Sequence, residues 1–198
     1  MKHLKSYKIF ENIETDEEIH ELCRKYNIKN YTINEDKSID VNNNVYLGHN
    51  NLIKLPLKFG SVVGNFDLSR NNLTTLEGAP ETVGGGFNCS YNNLTTLEGS
   101  PRRVNGSFDC FNNKKLMSLE GITPTIHGNF YCDGTPVFYF WKNFLNKDKS
   151  LIDSFVEEWD VIHEDTVIIE VLEGWMEDNN INVDIDIEEI KSLGYKIG

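Results

Sequence analysis

The chain has 198 residues, 39% of them hydrophobic and 25% charged, enough apolar content for one domain with its own core and too much for wholesale disorder. Its net charge is −12, and nearly all of that excess lies in residues 146–198, which carry 15 Asp and Glu against 4 Lys and Arg. That balance repels phosphate backbones, so no nucleic-acid partner is expected, and a basic protein surface is the better counterpart. The opening MKHLKSYKIFEN lacks the apolar run of a secretory signal, and no stretch has the length of a membrane span. A cytoplasmic protein without a membrane partner is the expectation. On that reading the N-x-S/T tripeptides at Asn30, Asn72, Asn88, Asn93 and Asn105 carry no glycan.

In chain order, the first element is a helix near 15–27. Thr15-Asp-Glu-Glu18 forms a capping box, and Ile19, Leu22, Cys23 and Tyr26 follow at helical spacing. Tyr31-Thr-Ile33 and Ile39-Asp-Val41 then alternate around Glu35-Asp-Lys-Ser38, the pattern of a hairpin. Residues 1–44 thus read as an N-terminal cap.

Residues 45–134 repeat. Segments starting at Val45, Phe66, Phe87 and Phe108 follow one another every 21 residues, and the step to Phe130 is 22 because of an extra residue at Lys114-Lys115. Two residues on stand Leu47, Leu68, Cys89, Cys110 and Cys132, so each turn opens with a short strand whose alternate side chains point inward. Asn50, Asn71, Asn92 and Asn113 come next, each before a bend where an amide can bond unpaired backbone groups. Two leucine columns follow, from Leu52 and Leu55, then a Val or Ile column from Val62. Gly64, Gly85, Gly106 and Gly128 then let the backbone swing into the next strand. One turn cannot bury its own leucines, whereas stacked turns bury them continuously. The pattern fits L-x-L-x-x-N-x-L, with Phe for the first leucine and often Cys for the second. The expected fold is an α/β solenoid, a leucine-rich-repeat stack of about five turns with one short parallel strand per turn.

Residues 135–198 read as an acidic, mainly helical C-terminal cap. Thr135-Pro136 starts a helix with Val137, Phe140, Trp141, Phe144 and Leu145 on one face. A second helix from Ser150 carries Ile152, Phe155, Val156 and Trp159, and a third carries Ile168, Val171, Leu172, Trp175 and Met176. Asp186 caps a last short helix with Ile190 and Leu193. All three tryptophans lie here, where they are expected to anchor the lid to the last turn; a separate effector module is the other reading.

The phrases YTINEDKSIDV, NNLTTLEGAPETVGG and TPVFYFW resemble the short leucine-rich repeats found in bacteriophages and some bacteria. The resemblance covers residues 14–145 well and the rest loosely. It implies a non-enzymatic repeat protein, directed at a host protein in the host cytoplasm, and it supplies no catalytic residues. The inserted Lys in the fourth turn and Thr135-Pro136 in place of Asn in the fifth depart from the pattern.

The candidate chemistry is sparse. Cys89, Cys110 and Cys132 share a column with Leu47 and Leu68, so core packing explains them better than a metal. Gly84-Gly85-Gly86 lacks the Lys-Ser/Thr of a phosphate loop, and Glu77, Glu98 and Glu120 form a repeat-derived ladder. Asp178, Asn180, Asn182, Asp184, Asp186 and Glu189 stand at calcium-loop spacing, but Val183 takes the place of the turn glycine and the alternation of Ile181, Val183, Ile185 and Ile187 reads equally as a strand. No histidine motif or nucleophile elbow occurs, so neither an enzyme nor a cofactor is expected.

The outward residues of successive strands form the expected binding face. They are Tyr46, Asp67, Asn88, Asp109 and Tyr131, then Phe111 and Asp133 in the next column, then Arg70 and Tyr91. Aromatic side chains on a rigid polar sheet suit a protein partner. The leading expectation is therefore a protein-interaction module. The alternatives are binding of a small molecule or Ca2+ through the acidic C-terminal region, and self-assembly.

Overall fold

The structure, a computed structural model, describes residues 15–145, 151 and 154–198. The repeat becomes a solenoid with two faces. A front sheet holds five parallel strands in the order β3 (Val45–Tyr46), β5 (Phe66–Asp67), β7 (Phe87–Asn88), β9 (Phe108–Asp109) and β11 (Phe130–Tyr131). Their registers pair Val45 with Phe66, Phe66 with Phe87, Phe87 with Phe108 and Phe108 with Phe130, the columns read from the repeat. The 22-residue step disturbs nothing, because Lys114 and Lys115 sit in an exposed turn.

A second strand per turn was not in the sequence expectation. β4 (Phe59–Val62), β6 (Thr82–Val83), β8 (Arg103–Val104) and β10 (Thr125–Ile126) form a back sheet, extended at its N-terminal edge by the antiparallel pair β1 (Tyr31–Ile33) and β2 (Ile39–Val41). The Val column was read as a turn end. Its residues instead alternate with exposed or half-buried neighbours and pair with the same column of the next turn.

Two ladders hold the turns together. Phe59, Phe66, Phe87, Phe108, Phe130 and Trp141 contact one another in sequence, ring centroids 4.8 to 5.9 Å apart, along the axis of the stack. Such ring pairs add roughly 0.5–1.5 kcal/mol each beyond their burial. Beside them runs an amide ladder. Asn92 Oδ1 accepts from the Leu73 N–H of the preceding turn at 3.0 Å, while its Nδ2 donates to Leu68 and Cys89 carbonyls at 3.0 and 3.1 Å. Asn71 and Asn113 do the same one turn away. Each buried amide thus joins two turns, as expected of a side chain that satisfies backbone groups left open by a bend. In the fifth turn Thr135 keeps only the local part, donating from Oγ1 to Cys132 O at 2.6 Å.

Glycine has two separate uses. Gly99, at φ +84°, closes the LEG turn, where Ser100 N–H bonds Leu97 O at 3.0 Å. Gly106 does not swing the chain through a left-handed bend. A Cβ there would lie 2.7 Å from the Gly85 backbone, so the glycine permits close approach of turns.

The N-terminal cap follows its sequence. α1 (Asp16–Lys25) has the capping box between Thr15 and Glu18 and buries Ile19 and Cys23. At the other end α2 (Phe138–Asn143) buries Tyr139, Phe140 and Trp141. The second expected helix falls partly outside the described residues; Ser154–Glu158 form one π-helical turn. α3 (Ile169–Asp178) and α4 (Ile187–Ser192) match the last two, with Asp186 Oδ1 accepting from Glu189 N–H at 2.9 Å. A small sheet of β12 (Ile162–His163), β13 (Thr166–Val167) and β14 (Lys196–Ile197) was not anticipated. The tryptophans have different roles. Trp141 packs edge-on to Phe130, whereas Trp175 contacts Phe155 and donates from Nε1 to Ser154 Oγ at 2.7 Å, and Trp159 lies against Gly174. A second tie to the stack is Tyr195, whose hydroxyl donates to Met117 O at 2.7 Å. No helix among the described residues is long and apolar enough to cross a membrane.

Candidate front-face binding site

The front face is built column by column. In the first column, Asp67, Asn88 and Asp109 each turn a side-chain oxygen onto the backbone two residues on, at Ser69, Ser90 and Phe111, with distances of 2.8, 3.0 and 2.9 Å. These bonds fix the bend that ends each strand. Tyr46 and Tyr131, at the two ends of the column, are 62% and 43% exposed, and the Tyr131 hydroxyl accepts from Asn129 Nδ2 at 2.8 Å.

Past that bend every turn enters the left-handed backbone region, at His49, Arg70, Tyr91, Asn112 and Gly134, with φ between +54° and +70°. Glycine takes this conformation freely and asparagine at little cost, but for a larger side chain it costs about 1 kcal/mol. The stack nevertheless carries Arg70 and Tyr91 there, both exposed. The Arg70 guanidinium lies 4.3 Å from the Tyr91 ring centre, and the Tyr91 ring meets Phe111 edge-on at 5.3 Å. Arg70, Tyr91 and Phe111 therefore form one continuous run across three turns. The sequence did not disclose this strained column, although Asn112 and Gly134, two residues that tolerate positive φ, occupy it and were the available signal.

Charge on the face is unbalanced. Burial raises the Asp109 carboxyl above its ordinary range, the Phe111 N–H opposes that, and the carboxylates of Asp133 and Asp67 add to it. The ion pairs of the described residues lie elsewhere, such as Lys58–Asp36 and Lys196–Asp165, and none reaches Asp67, Asp109 or Asp133. The expected face residues lie on or just past successive front strands, with Arg70, Tyr91 and Phe111 in direct contact and Tyr46 and Tyr131 at the two ends.

Elsewhere the candidate chemistry is structural. Cys89, Cys110 and Cys132 are buried free thiols, and burial pushes Cys89 and Cys110 far up, so they stay protonated in the core. Residues 181–186 form neither the strand nor a turn: they run as coil between α3 and α4. Asp186 is engaged as the cap of α4, Val183 is exposed, and among the described residues no three His, Cys, Asp or Glu side chains gather in a way that could hold a metal. Three histidines have partners that spacing alone did not show, His20 with the Tyr31 hydroxyl, His127 with Asn105 Oδ1 and His163 with Asp160.

Compared with protein-family models, with curated proteins and with solved structures, the chain matches none. The fold itself defines the class: a β-solenoid of 21-residue turns closed by helical ends.

Proposed function

We propose that the chain is a non-catalytic protein-binding module whose front sheet is the contact surface. The observation that carries this reading is the placement of Arg70 and Tyr91. Both occupy left-handed positions that glycine fills at no cost in the fifth turn, and both point outward into a run with Phe111. Strain retained on an exposed surface gives the fold nothing, so its return is sought in binding. Rigid aromatic side chains lose little entropy on docking and make strong anchors. The acidic balance of the chain favours a partner with a basic surface. The resemblance of the repeats to those of bacteriophages makes a host cytoplasmic protein the natural candidate, an inference by analogy.

The test is affinity capture from host lysate with the wild type and with Tyr46→Ala, Phe111→Ala and Tyr131→Ala combined. A partner held by the wild type and lost by the triple variant, at unchanged melting temperature, supports the face. Equal recovery of every partner by both proteins removes it.

A further inference from the structure

The proposed face has one open end, and its chemistry names what fits there. The run from Arg70 through Tyr91 to Phe111 begins with a cation on a ring and ends with a ring that has no cation. Beyond Phe111 the fifth turn supplies exposed Asp133 and exposed Tyr131. Asp133 lies close enough to Asp109 for the two carboxylates to repel. Asp109 has one oxygen committed to the Phe111 N–H, and no Lys or Arg of the described residues pairs with either acid.

We infer that this end of the face receives an arginine or lysine side chain from an extended basic segment of the protein partner, the cation resting on Phe111 and paired with Asp133. The inference rests on the front sheet being the contact surface and adds the identity of the anchoring group. Three features favour a cation over an apolar plug. The molecule already makes the same contact internally, guanidinium on ring, between Arg70 and Tyr91. Such contacts strengthen as water is excluded. A positive group offsets the like charges of Asp109 and Asp133, and a carboxylate beside a ring gives a guanidinium both a planar and an ionic partner. A second copy of this chain is a poor occupant, since its net charge is −12.

The experiment titrates the full chain with an eight-residue arginine peptide and with a glutamine peptide of the same length, by calorimetry at moderate salt. Two variants separate the face from the acidic C-terminal region. One is Phe111→Ala with Asp133→Asn. The other, Asp184→Asn, removes one charge of the same sign from the coil between α3 and α4. The expected result is at least a tenfold loss of arginine-peptide affinity in the first, under twofold in the second, and no binding of the glutamine peptide. Equal losses in both variants, or none in either, would mean diffuse charge attraction and overturn the inference. Capture by Asp133→Asn of the same partner that the triple variant loses would sink the cation anchor while leaving the contact surface standing.

Discussion

The repeat stack and the C-terminal region are built on opposite plans. In the stack each buried group meets a copy of itself one turn away: Phe87 lies between Phe66 and Phe108, and Asn92 between Asn71 and Asn113. In the C-terminal region no contact recurs. Phe140 meets Phe144, Phe155 and Tyr195, three different neighbours from three different segments. Stability in the first is spread over equivalent interfaces, whereas in the second it is concentrated in one cluster. The two regions are joined through Trp141 on Phe130 and Tyr195 on Met117. Trp141 stands at that junction and Trp159 and Trp175 on its C-terminal side, so fluorescence reports mainly the C-terminal region, while sheet circular dichroism is dominated by the six- and five-stranded sheets of the stack.

The largest effects should come from emptying each core. Phe87→Ala and Phe155→Ala both remove fully buried rings and should each cost about 4 kcal/mol. Phe87→Ala should lower the midpoint seen by circular dichroism. Phe155→Ala should lower the fluorescence midpoint and leave the sheet signal nearly in place. Coincident shifts of both signals in both variants would show a single cooperative unit and end the contrast.

Next comes the amide ladder. Asn92→Ala strands the Leu73 N–H and takes one of two amide donors from the Leu68 and Cys89 carbonyls, which keep Asn71 and Asn113, and should cost about 2 kcal/mol. Asn50→Ala, at the exposed first turn, gives up a bond to Gly48 O and should cost under about 1 kcal/mol. Urea denaturation of the pair measures the difference. Equal costs would mean that the ladder is not what couples one turn to the next.

Tyr195→Phe tests the junction. It removes only the hydroxyl bond to Met117 O, worth about 1 kcal/mol, and keeps the ring against Phe140. The expected result is a modest fall in the fluorescence midpoint together with greater separation of the two transitions.

The same contrast explains what could be read in advance. Register, inward columns and the amide column were legible because repetition averages away local accidents: five turns report the register, and three, at Asn71, Asn92 and Asn113, the buried amide. The back strands escaped because each turn offers one inward residue there, such as Val83 or Val104, whereas the front strand is followed by a second, as in Phe66 and Leu68. The small sheet of β12, β13 and β14 escaped for another reason: β12 and β13 form a local antiparallel pair, β13 pairs β14 from Thr166 to Lys196, and neither pairing recurs. On the face, the identities of Tyr91 and Phe111 were legible, but their contact was not. It depends on the left-handed bend at Tyr91, a backbone property that Tyr does not advertise.

The smallest expected effect concerns charge on the face. Asp109→Asn keeps the bend, because Asn88 already makes the same bond to its own neighbour two residues on. What it removes is a half-buried carboxylate held near Asp133 and Asp67. A carboxyl whose folded pKa is raised binds its proton more tightly in the native state, so the wild type loses stability as pH rises through that pKa. Below the ordinary range both forms are neutral at this position and the variant should match the wild type. Near neutral pH it should be more stable, by less than about 1 kcal/mol, since solvent screens a group that is only half buried. Urea titrations at about pH 3 and about pH 7 measure both ends. A variant that is less stable at neutral pH would place a cation of this chain beside Asp109, and the open end of the face would then already be filled from within.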